Sequence, residues 1–286
     1  MANSMKPSNR PLPYFDALLS LLDNHPVLAQ TFGRHVHWGY WEYPPTGRPD
    51  AKAFTEAAEH LTRLVYQAGR VADGQQVLDV GCGFGGTIAS LNENFNNMGL
   101  HGLNIEHRQL TRAKRLVLPQ ATNQVDWVNA NACSLPFVDA SFDSVLAVEC
   151  IFHFPDRRSF FREAFRVLKP GGRLALSDFI STPLLRPAAW LIKAWPASGG
   201  FYGECDVQFT FQNYRELAAE TGFSVSLERD ITRNTLPTYD FIHGLSRQIP
   251  FRSLSAVVQT LFIEYASRAG FIKYGVLGFE KPGGVD

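Results

Sequence analysis

An α/β fold, built on a doubly wound sheet of seven mostly parallel strands and capped by helical and aromatic insertions, is what this chain predicts. Three observations carry the prediction. Strand-like apolar runs alternate with amphipathic helical runs, which implies crossover units and parallel pairing. One of those runs feeds straight into a glycine-rich turn and then a helix, the opening of a ligand-binding unit. Of the 286 residues, 45% are hydrophobic and 19% charged, enough to fill a core and too apolar for a disordered chain. The length suits either two domains or one large α/β domain with insertions.

In chain order, a short apolar helix pattern spans Tyr14 to Leu22, and an aromatic loop punctuated by Gly and Pro follows at 35–45. From Ala51 to Ala68, the residues Phe54, Ala58, Leu61, Val65 and Ala68 recur at three- and four-residue steps, the stripe of a helix leaning on a sheet. Strands are expected at Gln76–Val80, Leu100–Ile105, Val125–Val128, Phe142–Glu149 and Arg173–Ile180, with helices near Thr87–Phe95, Arg108–Leu118 and Ser159–Leu168. Regularity then breaks in a segment rich in Pro, Trp and Phe from Ser181 to Phe211. Beyond it come a helix at Tyr214–Thr221, a strand at Ser224–Ile231, helices at Tyr239–Arg247 and Leu254–Ala269, and a last strand near Tyr274–Glu280. The organisation expected is an N-terminal part with helices and an aromatic lid loop over 1–50, a ligand-binding core over 51–182, and cap insertions plus the last two strands over 183–286. In such sheets the ligand sits at the carboxyl ends of the strands, where the strand order reverses.

Charge narrows the function. Lys plus Arg number 27 and Asp plus Glu number 27, so no basic face is available to displace counterions from nucleic acid or to hold an anionic membrane. The longest stretch without Asp, Glu, Lys or Arg has 13 residues, short of the ~18–20 that a membrane-spanning helix needs. The first residues lack the apolar run of a secretory signal, and the four cysteines include no C-x-x-C pair. A cytoplasmic protein with reduced thiols, no metal site and a small-molecule partner is expected.

Gly81, Gly83 and Gly86 satisfy G-x-G-x-x-G at the end of the run Val77–Val80. That pattern also serves dinucleotide binders, and Asp79 separates the two. A carboxylate two positions before the first glycine repels a pyrophosphate but suits a cation. S-adenosylmethionine carries an ammonium and a sulfonium, and the helix N-terminus beyond the glycines is able to take its carboxylate. The rivals are an NAD-dependent oxidoreductase, which Asp79 disfavours, and a non-catalytic binding protein with the same pocket.

Three stretches, 77–86 (Val-Leu-Asp-Val-Gly-Cys-Gly-Phe-Gly-Gly), 135–145 (Leu-Pro-Phe-Val-Asp-Ala-Ser-Phe-Asp-Ser-Val) and 161–174 (Phe-Arg-Glu-Ala-Phe-Arg-Val-Leu-Lys-Pro-Gly-Gly-Arg-Leu), make the chain resemble the class I S-adenosylmethionine-dependent methyltransferases. The likeness is to the small-molecule branch with ubiquinone and tocopherol C-methyltransferases and sugar O-methyltransferases, and it covers roughly residues 30 to 182. It implies a Rossmann-like fold with S-adenosyl-L-methionine as cofactor, its methionyl part against Asp79, Gly81 and Gly83. Asn104 stands where many relatives carry an acid, and the resemblance pairs it with Gln109 on the ribose diol. Asn131 and the backbone of Ala132 would take the adenine, and the Gly-Tyr-Trp part of the aromatic loop would lie across the donor, with Tyr40 offering a cation–π face.

For the reaction, the resemblance to sugar O-methyltransferases implies His153 as base and Asp178 as its partner, with Phe152 where some relatives have a second histidine. The acceptor expected is a small, largely apolar metabolite, methylated on a hydroxyl or carboxyl oxygen. The alternative is a carbon of a prenylated or aromatic ring. Aromatics at Phe179, Trp190, Trp195, Phe201, Tyr202, Phe209, Phe211 and Tyr214 would line the acceptor pocket.

Overall fold

The computed structural model describes residues 19–20, 22, 25–184, 205–246 and 254–284. Most of the helix expected at 14–22, and Trp190, Trp195, Phe201 and Tyr202, lie outside the described residues. In chain order the elements are α1 (Pro26–Phe32), α2 (Ala51–Ala68), β1 (Gln76–Val80), α3 (Gly86–Asn94), β2 (Gly99–Asn104), α4 (His107–Leu116), β3 (Gln124–Asn129) and β4 (Phe142–Val148). A 3₁₀ turn (Ile151–His153), α5 (Arg157–Val167), β5 (Leu168–Ser181), α6 (Phe211–Thr221) and β6 (Ser224–Asp230) follow. The chain then forms α7 (Thr232–Thr235), α8 (Pro237–Ser246), α9 (Leu254–Arg268) and β7 (Ile272–Glu280).

The helices begin where side chains satisfy free backbone N–H groups. Asp50 accepts from Ala53 N at 2.8 Å ahead of α2, Glu106 from Arg108 N at 3.1 Å ahead of α4, and Asp156 from Arg158 N at 2.9 Å ahead of α5. Thr210 and Asn213 close a reciprocal capping box on α6, which ends at Gly222 in the left-handed region. Glu106 thus works as a cap.

The strands form one seven-stranded sheet in the order β3-β2-β1-β4-β5-β7-β6. β1 to β5 pair in parallel, whereas β7 runs antiparallel between β5 and β6, in nine-residue register with β5 from Arg173–Glu280 to Ser181–Ile272. Alternate side chains of a strand face opposite ways, so the core has two layers. Leu78, Val80, Leu174 and Leu176 join Phe160, Phe161, Tyr214 and Phe279 on one face. Val77 and Ala175 join Leu61, Val65, Ile88 and Tyr274 on the other. The strand order reverses between β2 and β4, the neighbours of β1, and there the site opens. Among the described residues no helix is long and apolar enough to cross a membrane.

Candidate active site

The turn after β1 is pinned to β2, because Gly81 N and Cys82 N both donate to Leu103 O at 2.8 and 3.1 Å. The glycines differ in purpose. A Cβ on Gly86 would lie 2.4 Å from His35 Nδ1 and 2.5 Å from Arg34 O, so this glycine admits the N-terminal strap. Gly83 has φ of +53°, and its missing Cβ would only touch Val36 at 3.5 Å, so it faces the open cleft. Gly83→Val should therefore cost ~1–2 kcal/mol of stability for the backbone and abolish binding of S-adenosylhomocysteine in calorimetry. Unchanged affinity would mean the ligand does not approach this turn.

Asp79, at the end of β1, is 1% exposed, and its Oδ2 has no hydrogen-bond partner. Burial pushes the carboxyl up to about 8, against a Thr87 hydrogen bond that pulls it down. Unpaired and at the edge of a cleft, it favours a cation. Asn104 and Gln109 meet as expected. Asn104 Nδ2 donates to Gln109 Oε1 at 2.8 Å, Asn104 Oδ1 accepts from Glu106 N at 3.2 Å, and Gln109 Nε2 is left buried without a partner in the cleft wall.

Three of the expected residues lie outside the lining of this cleft. Asn131 is a turn cap, its Oδ1 accepting from Cys133 N at 2.9 Å, and neither it nor Ala132 borders the cleft. Ala132 is buried in the core. Tyr40 turns away from the cleft to β6, where its hydroxyl accepts from Arg229 Nη2 at 3.0 Å and its ring lies 5.5 Å from that guanidinium. The part of the strap that borders the cleft is Arg34 to His37 instead.

Asp178 is not held by His153. Its Oδ2 accepts from Arg157 Nη1 at 2.7 Å and from the Tyr214 hydroxyl at 2.5 Å, and it is fully buried. Arg157 also donates to the Asp206 carbonyl and lies 4.5 Å over the Phe209 ring. His153 does reach the cleft, at the end of the 3₁₀ turn after β4, with its Nδ1 3.7 Å from Cys205 Sγ. Of the aromatics expected to line an acceptor pocket, Phe179 and Tyr214 are buried and Phe209 and Phe211 pack on the core. Packing and polar anchoring account for them.

Two further features join the site: the first has no place among the expected site residues, and the second lies at the rim where the end of the fourth strand is expected to put residues 149–153. One is a buried relay behind the strap. His35 Nε2 lies 2.9 Å from Glu59 Oε2, His37 Nε2 lies 3.2 Å from His35 Nδ1, and His37 Nδ1 donates to Trp38 O at 2.8 Å. Burial holds His37 down at about 3. Burial alone would raise Glu59, but hydrogen bonds from His35 and Ser90 outweigh it and hold the carboxyl at about 2. His-x-His ahead of a helix with an inward Glu was the available signal. The other is Glu149, which accepts from Trp38 N at 2.9 Å and from the Tyr274 hydroxyl and borders the cleft. Burial pushes it up to about 8, although both hydrogen bonds lower it.

A doubly wound sheet whose switch point carries a glycine cradle and a buried, unpaired carboxyl defines a binder of a small cationic cofactor. A family model described as "Methyltransferase domain" matches residues 78–176. The chain is 32% identical over 245 residues to "Methyltransferase GfsG" of Streptomyces halstedii, covering 82% of this chain and 84% of that one. It is 32% identical over 226 residues to "27-O-demethylrifamycin SV methyltransferase" of Amycolatopsis mediterranei, covering 79% and 77%. The geranyl diphosphate C-methyltransferase of Streptomyces coelicolor A3(2), solved with S-adenosyl-L-homocysteine, shares the fold at a TM-score of 0.73 and 18% identity over 96% of this chain and 99% of that one. The protein belongs to the class I S-adenosylmethionine-dependent methyltransferases of the small-molecule branch, and S-adenosylmethionine is its cofactor.

Proposed function

We propose that the protein methylates an oxygen, hydroxyl or carboxyl, of a small and largely apolar metabolite. The observation that carries this reading is the end of the cleft beyond Asp79, where Val148 and Phe154 line the wall beside His153 and Glu149. Apolar contact there adjoins groups able to handle a proton. The relative from Amycolatopsis, named for a substrate lacking an O-methyl group, supports oxygen as the site of transfer.

The residues present suit the cofactor. Asp79 Oδ2 and Gln109 Nε2 are buried polar atoms without partners, one an acceptor for an ammonium and the other a donor for a ribose hydroxyl. In this reading Asp79 holds the ammonium, Gln109 with Asn104 holds the ribose, and Gly83 lets the ligand backbone come close, while the missing Cβ of Gly81 makes room for Cys150. The cofactor supplies an activated methyl on a sulfonium. The chain supplies alignment and water exclusion, the main needs of an in-line displacement.

Incubation with ¹³C-methyl-labelled donor and a panel of alcohols, phenols, carboxylic acids and prenylated quinols tests this. NMR of the products should place the label on oxygen. Along a homologous series, kcat/KM should rise about fourfold per added CH₂, roughly 0.8 kcal/mol each, until the pocket is filled. Label on carbon, or a preference for highly charged acceptors, would sink the reading.

A further inference from the structure

Among the described residues lining the cleft, Glu149 is the carboxyl that cofactor binding leaves without a task. It follows β4 with φ of 48°, a left-handed backbone uncommon for a residue with a long side chain. Its N–H is shared between Ser177 O at 3.2 Å and Ser177 Oγ at 3.1 Å, which holds it there. Strain of this kind persists where the surroundings over-determine it, and it clusters at functional sites. Trp38 N and the Tyr274 hydroxyl both donate to Oε2, so the strap, β5 and β7 converge on one residue. All of that holding falls on Oε2 and on the backbone. Oε1 is left for the cleft that Glu149 lines together with Asp79 and His153.

His153, the other proton-handling group at this end, also borders the cleft. Its Nδ1 lies 3.7 Å from the Cys205 sulfur, whose thiol burial pushes up to about 12.

We propose that Glu149 is the catalytic base of this enzyme, taking the acceptor's hydroxyl proton on Oε1. This rests on the reading above that an oxygen is methylated. The acceptor's O–H bond breaks and its proton passes to Glu149. The oxygen's electron pair forms the new O–CH₃ bond, and the S–CH₃ bond breaks with its pair kept by sulfur. A sulfonium and a carboxylate become a thioether and a carboxylic acid, so charge and protons balance. A carboxyl kept near neutrality by its surroundings suits the task, since a base works best near the operating pH. The titratable groups around it are Tyr274 on β7, Asp178 on β5, Asp79 on β1, Tyr239 on α8, His37 on the strap, Cys150 beside it and His153 on the 3₁₀ turn.

The test uses the alcohol or phenol of the panel that the full-length enzyme turns over fastest, at saturating donor. Glu149→Gln should lower kcat by about 10²- to 10⁴-fold, abolish the rise of kcat towards pH 8, and retain binding of S-adenosylhomocysteine. Tyr274→Phe removes a donor that lowers Glu149, so its kcat profile should move to higher pH, which keeps the proposal testable where Glu149→Gln does not fold. Independently of turnover, ¹³C-carboxyl NMR of glutamate-labelled protein should show one signal, absent from Glu149→Gln, that titrates near 8. Wild-type kcat in Glu149→Gln, an unmoved profile in Tyr274→Phe, or a Glu149 signal titrating at the ordinary ~4.3 would each overturn the role of Glu149. Turnover confined to carboxylic acids would overturn it too, since a carboxylate brings no proton. Label on carbon overturns the oxygen reading itself, whereas label on oxygen with Glu149→Gln fully active overturns only the base.

Discussion

Replacing Asp79 with Asn should weaken binding of S-adenosylhomocysteine by roughly 30- to several-thousand-fold, the ~2–5 kcal/mol that loss of one partner from a buried charge pair costs. The carboxyl is fully enclosed, its Oδ2 has no partner within the chain, and the ligand's ammonium is the charge that would satisfy it. Burial holds Asp79 neutral up to about 8 in the free protein. The ammonium needs the ionised form, so affinity should tighten about tenfold per unit as the pH rises from ~6 towards ~8. Above that the ligand's own α-amino group loses its proton, at roughly 8, and affinity should fall again. Calorimetry in buffers of different ionisation enthalpy reads the proton released on binding. A dissociation constant that stays flat over this range would show that Asp79 does not hold the ammonium. The free fold feels the same shift with a definite sign. A carboxyl raised on folding contributes stability that is complete below its ordinary value of 3.8 and is lost as the pH climbs through about 8. Asp79→Asn should accordingly flatten the pH dependence of thermal stability in that window.

Arg157→Met should cost about 3–5 kcal/mol, lowering the melting temperature by roughly 10 °C, because it strands Asp178 in the core. Arg157 is 5% exposed and Asp178 0%, and the guanidinium binds Asp178 Oδ2, the Tyr214 hydroxyl and the Asp206 carbonyl while stacking on Phe209. Burial raises Asp178, and Arg157 with Tyr214 pulls it back. Without Arg157 the carboxyl rises further and keeps its proton in the folded state. The stability gap to the parent chain should therefore be smallest near pH 4 and widen as the pH rises. A gap constant from pH 4 to pH 8, or no recovery in Arg157→Met combined with Asp178→Asn, would mean that lost packing rather than a stranded charge is the cause. The same anchor ties 205–210 to the end of β5 and brings Cys205 to His153, so turnover should fall with it.

Periodicity made most of the sheet legible. The runs at 76–80, 100–105, 125–128 and 142–149 lie within a residue of β1 to β4. β1, β2 and β4 are buried on both faces, which leaves near-continuous runs, whereas the edge strand β3 shows only through Val125, Trp127 and Val128. β5 begins five residues earlier than its apolar run, at Leu168, since Lys169, Pro170 and Gly171 pair or turn at the edge without being apolar. Short α7 has no repeat long enough to read. The placement of β7 between β5 and β6 depends on which strand finds β5 first, a tertiary outcome of nine paired residues.

For the site, the sequence by itself determined the glycine turn, Asp79 at a strand end, and the Asn104–Gln109 pair, all of which sit within 31 residues and are positioned by their own strand–turn–helix units. Tertiary structure alone decided where long-range polar groups meet. Glu149 takes its hydrogen bonds from residues 111 and 125 positions away. Asp178 takes Arg157 and Tyr214 instead of His153, and the Tyr40 hydroxyl takes Arg229. The reason is physical. Apolar spacing records which face of an element is buried, whereas a buried polar group must find whichever donor or acceptor the finished packing brings within hydrogen-bond reach, and that choice is written in three dimensions.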